Sequence, residues 1–235
     1  MKKRHLVIIL NCVAIGLITL VGVNKTNELS LNINDDSSTN KQVVSSTAGD
    51  ALATLAIKGR APKTNYSREQ FGGGWQTTNG CDTRNQILRR DLTDIVNAPT
   101  TDTVTCIVAA GTLQDPYTGK QIAFVRGEET SDAVQIDHVV ALSDAWQKGA
   151  QQLTYQQRVA LANDPLELLA VEGLANQQKG DGDAATWLPS NKSFRCSYVA
   201  RQIAVKKKYN LWVTRSEYDA MARILLACPE QTLPS

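Results

Sequence analysis

The chain has 235 residues, 42% hydrophobic, 20% charged and 6% aromatic, which is enough apolar material for one sizeable core or two small ones and excludes a wholly disordered protein. Its 25 Lys and Arg against 23 Asp and Glu leave a formal charge of only +2, so any attraction to an anionic partner has to be local. Histidine occurs only as His5 and His138, which restricts every mechanism that needs an imidazole.

Lys2, Lys3 and Arg4 precede an apolar run over residues 6–23, the pattern of a signal peptide. No small-x-small cleavage site follows directly, so an N-terminal anchor also fits. The expected location is therefore secreted, or tethered to the outer face of the membrane, with no further stable membrane interaction. Cys12, inside the run, is a bystander. Residues 24–56 read as a disordered linker, because the Asn, Ser, Thr and Asp that fill 24–50 cannot bury enough surface to order themselves. Residues 57–235 read as one domain without repeats.

Within that domain, Ile87, Leu88, Leu92, Ile95 and Val96 predict an amphipathic helix over 81–96. Runs rich in β-formers over 103–110 and 121–125 flank the turn chemistry of Asp115-Pro116-Tyr117-Thr118-Gly119 and predict a hairpin. Further strands are predicted over 134–140 and 166–171. Ser143 is placed to cap a short helix through Trp146, and Thr154 one through Ala162. A polar loop or short helix covers 173–183. Two helices follow over 195–209 and 214–228, the second with Thr214 and Glu217 spaced as a capping box.

Setting Cys12 aside leaves Cys81, Cys106, Cys196 and Cys228, an even number in a chain bound for an oxidising compartment. Of three possible pairings, Cys81–Cys106 with Cys196–Cys228 closes the most modest loops, each bridge contributing roughly 3.5 kcal/mol by loop entropy. A zinc site is disfavoured because no C-x2-C pair is present.

If the N-terminal segment is removed, His138 is the one imidazole left. It follows Asp137 at the end of a predicted strand, and the two share a site only if the strand stops or bulges there. Downstream come an apolar strand and a segment carrying Asn176 and Lys179, so Asp-His, strand, then Asn-Lys is the order of a ββα-metal site. The stretches IDHVVALSDAW, NDPLELLAV and NQQKGDGDAATWLP, with GCDTRNQIL, GTLQDPYTGKQIAF and FRCSYVARQIAVKKKYNLWVT, resemble the HNH endonucleases. The likeness is to secreted bacterial members related to the nuclease domain of GmrSD-type restriction enzymes, and it covers most of residues 60–230.

The resemblance implies an α+β fold, a ββα-metal (HNH) core embedded in a mainly helical domain with a β-hairpin and two disulfides. It implies a general base at His138 and metal ligands at Asp137 and Asn176. The middle Asn of the family, which steadies the base, falls on Glu167, a departure that puts that role in question. One divalent ion, Mg2+ or Mn2+, suits the oxygen ligands, and Lys179 is placed to reach the scissile phosphate. No carboxylate occurs from residue 184 to 216, while Lys192, Arg195, Arg201, Lys206, Lys207, Lys208 and Arg215 do, which predicts a phosphate-facing surface that includes Tyr198. Arg84 is a further phosphate candidate. The expected activity is metal-dependent cleavage of DNA, or RNA as well, with low sequence specificity, since no major-groove reading module is visible. The alternative is a catalytically silent member that binds nucleic acid or another polyanion. A serine hydrolase lacks its G-x-S-x-G elbow, and nothing points to a protein partner.

Overall fold

The computed structural model describes residues 47–99 and 106–234. The signal segment, the linker as far as residue 46 and the start of the 103–110 run lie outside the described residues. Among the described residues no helix is long and apolar enough to cross a membrane.

The fold is mixed, with seven α-helices and seven strands among the described residues around two cores. Helix α1 is Ala48–Ala53, and β1 (Thr77–Thr78) and β2 (Cys81–Asp82) form a tight hairpin. Helix α2 (Thr83–Asp91) leads into a three-stranded antiparallel sheet of β3 (Leu92–Asn97), β4 (Val108–Gln114) and β5 (Gln121–Val125). Strand β6 (Val134–His138) pairs antiparallel with β7 (Leu168–Glu172), and α3 (Leu142–Gln147) and α4 (Tyr155–Ala162) fill the connection. Helix α5 (Gly173–Lys179) follows β7 without a loop, and α6 (Arg195–Lys208) and α7 (Arg215–Leu225) complete the chain.

The β6–β7 pair is the wall between the cores. Side chains alternate across a strand, so Leu168 and Ala170 join Ile87, Leu88, Leu113 and Phe124 in the sheet core, while Leu169 and Val171 join the helical core of Val139, Leu161, Val199 and Ile203. Helix α5 approaches β6 closely at its start: a Cβ on Gly173 would sit 1.9 Å from the Asp132 carbonyl oxygen, so only glycine admits this contact.

Several sequence expectations are met. Both disulfides form as paired above, with Cα–Cα distances of 5.4 Å for Cys81–Cys106 and 6.4 Å for Cys196–Cys228. Capping boxes at Thr154 with Gln157 and Thr214 with Glu217 start α4 and α7, and β4–β5 is the expected hairpin.

Three expectations are corrected. The linker does not run to residue 56, because Ala48, Ala51, Leu52 and Leu55 are buried in the helical core, where α1 packs on α6 and α7. The helix expected over 81–96 stops at Asp91. Leu92 turns extended and Asp94 takes a positive φ of 51°, which bulges β3; Leu92 meets the same core in either conformation, so its spacing did not discriminate. Ser143 caps nothing: it lies inside α3, where its hydroxyl donates to Asp181 at 3.0 Å.

Candidate active site

The end of β6 sets the geometry. His138 is the last residue of the strand, paired with Leu168, and Asp137 is paired with Leu169. Their side chains leave opposite faces, but the strand ends there, so both reach one cleft of about 280 Å³ that Gln135 and Asn176 also line.

The His138 ring is buried, lies parallel to Trp75 with centroids 5.8 Å apart, and has Nε2 3.0 Å from the carbonyl oxygen of Ala162, the last residue of α4. A carbonyl only accepts, so Nε2 carries the hydrogen and the neutral ring presents a bare Nδ1. No protein partner meets Nδ1 among the described residues. Burial pushes the His138 pKa down to about 3 and the charges of Arg68 and Lys179 add to this, against the Ala162 bond, which raises it. The ring is thus neutral at physiological pH.

Asp137 is held from behind. Lys179 Nζ donates to its Oδ1 at 2.9 Å and to the His138 carbonyl at 2.7 Å, and the Tyr117 hydroxyl donates to Oδ2. Burial raises the Asp137 pKa, although Lys179 and Tyr117 pull the other way. Lys179 is itself buried; it does not reach toward a phosphate, because its ammonium ties the end of β6 to α5. Asn176, one turn before it, donates from Nδ2 to Gln135 Oε1 at 2.9 Å, which leaves Oδ1 without a protein partner among the described residues.

Glu167 does not touch His138. Its Oε2 accepts from the Val140 amide at 3.2 Å, its Oε1 has no hydrogen-bond partner among the described residues, and burial holds its pKa well above the ordinary carboxylate range. The contact to the ring expected of it is made instead by the backbone oxygen of Ala162.

The basic block divides between buried and exposed cations. Lys206 is fully buried, 2.9 Å from Glu217, in a cluster where Lys148 lies 2.7 Å from Asp144, 2.7 Å from Asp183 and 2.6 Å from Glu217. Arg60 completes it, 2.8 Å from both Asp144 and Asp183. Tyr198 is buried edge-to-face against Tyr117 and accepts from Gln202. Arg195 donates to the Pro189 carbonyl and Arg201 to the Leu166 carbonyl. Lys208 pairs with Asp164 at 2.6 Å. Arg84 lies 5.6 Å over the Phe124 ring, on the sheet core. A continuous stretch of sequence is here wound around a helix: Lys206 is buried and Arg195 and Arg201 bond backbone carbonyls, while Lys192, Lys207, Lys208 and Arg215 are exposed.

The residues around His138 that sequence reasoning missed are Tyr117, Trp75, Arg68 and the Ala162 carbonyl. Tyr117 lay in a segment legible only as a turn.

Residues 82–224 match the family of GmrSD restriction endonucleases, C-terminal domain, more than half of the chain. The chain belongs to that family. Membership gives it a nuclease-like character and makes nucleic acid its natural substrate class. A protein of Arthroderma benhamiae, named only as an uncharacterized secreted protein, is 38% identical over 187 residues, 78% of this chain and 85% of its own length. Secreted relatives of this GmrSD-type chain therefore extend to fungi. No solved structure matches it.

Proposed function

We propose that this GmrSD-family chain is a secreted endonuclease of HNH type, cutting DNA, or RNA as well, with low sequence specificity. In this reading β6, β7 and α5 are its ββα unit and His138 its general base. The observation that carries the reading is the Nε2 contact to Ala162, which leaves Nδ1 bare on a cleft shared with Asp137 and Asn176.

The donor set suits one hard divalent ion, Mg2+ or Mn2+. Asp137 offers a carboxylate whose orientation Lys179 and Tyr117 fix from behind, as outer partners of metal ligands do, and Asn176 offers an unengaged amide oxygen. No three His, Cys, Asp or Glu side chains converge among the described residues, so water and phosphate oxygens would complete the shell. When bound, the ion would offset charge that builds on the phosphate during attack.

The chain's own residues do the rest. His138 Nδ1 accepts the proton of the attacking water. Ala162 keeps the ring in the tautomer that can do so and stabilises the imidazolium that forms. Lys179 holds Asp137 and the His138 backbone in register with α5. The alternative of a catalytically silent polyanion binder gains no support from Glu167, whose carboxylate accepts from the Val140 amide rather than from the ring.

Plasmid nicking tests the proposal. Wild type should nick in Mg2+ or Mn2+ and stop in EDTA, and His138→Ala should be inactive with an unchanged melting temperature. Wild-type nicking by His138→Ala would refute the base, and nicking that survives EDTA would refute the ion.

A further inference from the structure

His138 stands between two clefts. Besides the one that holds Asn176, a second of about 290 Å³ opens on its other side, lined by Phe71, Gly72 to Gly74, Trp75 and Ala162. Arg68, His138 and Leu142 line both. Arg68 is the sole cation lining either cleft among the described residues.

The carboxylates around these clefts are matched elsewhere: Asp137 by Lys179 at 2.9 Å and Asp181 by Lys63 at 3.3 Å. Glu69 stands at the fully exposed rim. No carboxylate forms an ion pair with Arg68 among the described residues, so its guanidinium fork is available.

The position of Arg68 is built rather than incidental. It opens a 3-10 turn, Arg68–Phe71, whose Phe71 is buried edge-on against Trp146. Arg158 of α4 donates to the Gln70 carbonyl at 2.8 Å and to the Gln70 side chain at 3.0 Å. Helix α4 therefore fixes both the turn that carries Arg68 and, through Ala162, the ring of His138.

Building on the nuclease reading above, we infer that Arg68 grips the phosphate attacked at His138, and that the substrate strand crosses over His138 from the Trp75 cleft to the Asn176 cleft. A guanidinium fork matches two phosphate oxygens at once, which an ammonium does not.

The test uses a fluorescent single-stranded DNA oligonucleotide as substrate and probe. Arg68→Ala and the length-preserving Arg68→Gln should lower kcat/KM at least tenfold with melting temperatures unchanged, and Arg68→Lys should recover only part. Binding, followed by anisotropy in a His138→Ala background, should weaken at least tenfold on adding Arg68→Ala. The slope of log affinity against log salt should fall by about 0.7, the share of one single-strand phosphate contact. If wild type cuts and the Arg68 variants match it in kcat/KM and salt slope, the inference fails while the nuclease reading stands. If wild type neither cuts nor binds, both fall.

Discussion

Two clusters of buried charge share this fold and differ in what they leave over. In one, Arg60, Lys148 and Lys206 meet Asp144, Asp183 and Glu217, three cations with three carboxylates, joining α3, α6, α7 and the segment after α5. In the other, Lys179 balances Asp137, but the bare Nδ1 of His138 and the Asn176 carbonyl oxygen face a cleft without protein partners. A charge-balanced cluster fixes helices against each other, whereas one with open acceptors keeps atoms for a substrate. Buried ionisable groups alone do not mark a site; those that remain incomplete and face a cleft do.

The comparison breaks most sharply at Lys148. Lys148→Met leaves three buried carboxylates short of a partner and should cost about 3–5 kcal/mol, read as a lowered urea midpoint, with cleavage per folded molecule unchanged in native buffer. A normal midpoint would show that the cluster contributes nothing to the scaffold. Gly173→Ala strikes the other region: its methyl meets backbone that cannot yield, so α5 must shift from β6. A loss of about 1–3 kcal/mol is expected, accompanied by loss of nicking, because Asn176 and Lys179 ride on α5.

Acid separates wild type from His138→Asn. The folded pKa of His138, about 3, lies below the value of about 6.5 for an unfolded histidine. The unfolded state therefore binds the extra proton between these values, and wild type should lose stability relative to His138→Asn as pH falls from about 6.5 toward 3. Parallel stability curves for the two proteins would show that the ring is not buried neutral. The smallest effect is expected at Glu167. Burial pushes the Glu167 carboxyl well above the ordinary carboxylate range and so favours its neutral form, so Glu167→Gln, an isosteric neutral replacement, should change stability by less than about 1 kcal/mol and leave the pH–rate profile in place. A displaced profile would put Glu167 back in contact with the base.

The readable parts of the sequence were those where one residue type does one local job. Thr154 and Thr214 announce their helices because a hydroxyl satisfies a backbone amide wherever a helix begins, and the four cysteines paired by loop length. Helix α2 was overextended because Leu92 faces the sheet core under either periodicity, although the β-branched Thr93, Ile95 and Val96 favour a strand. The β1–β2 hairpin carried a signal in Asn79-Gly80, whose φ values of 53° and 76° suit its turn. At the site, Asp137, His138 and Asn176 were legible and do share a cleft. The acceptor that orients His138 was not, since every residue has a carbonyl and only the folded path of α4 brings that of Ala162 to the ring. The basic block splits into buried and exposed cations because charge along a sequence says nothing about which face of a helix is buried.

The alternation of Leu168 to Val171 across β7 gives the molecule a form of logic. Each core grips one face of the strand pair that carries His138, so loosening either one releases a face and disturbs the end of β6. Catalytic geometry then exists only while both halves are intact, a coincidence requirement. On the proposed nuclease reading, a chain with one half unfolded would be silent rather than half-active.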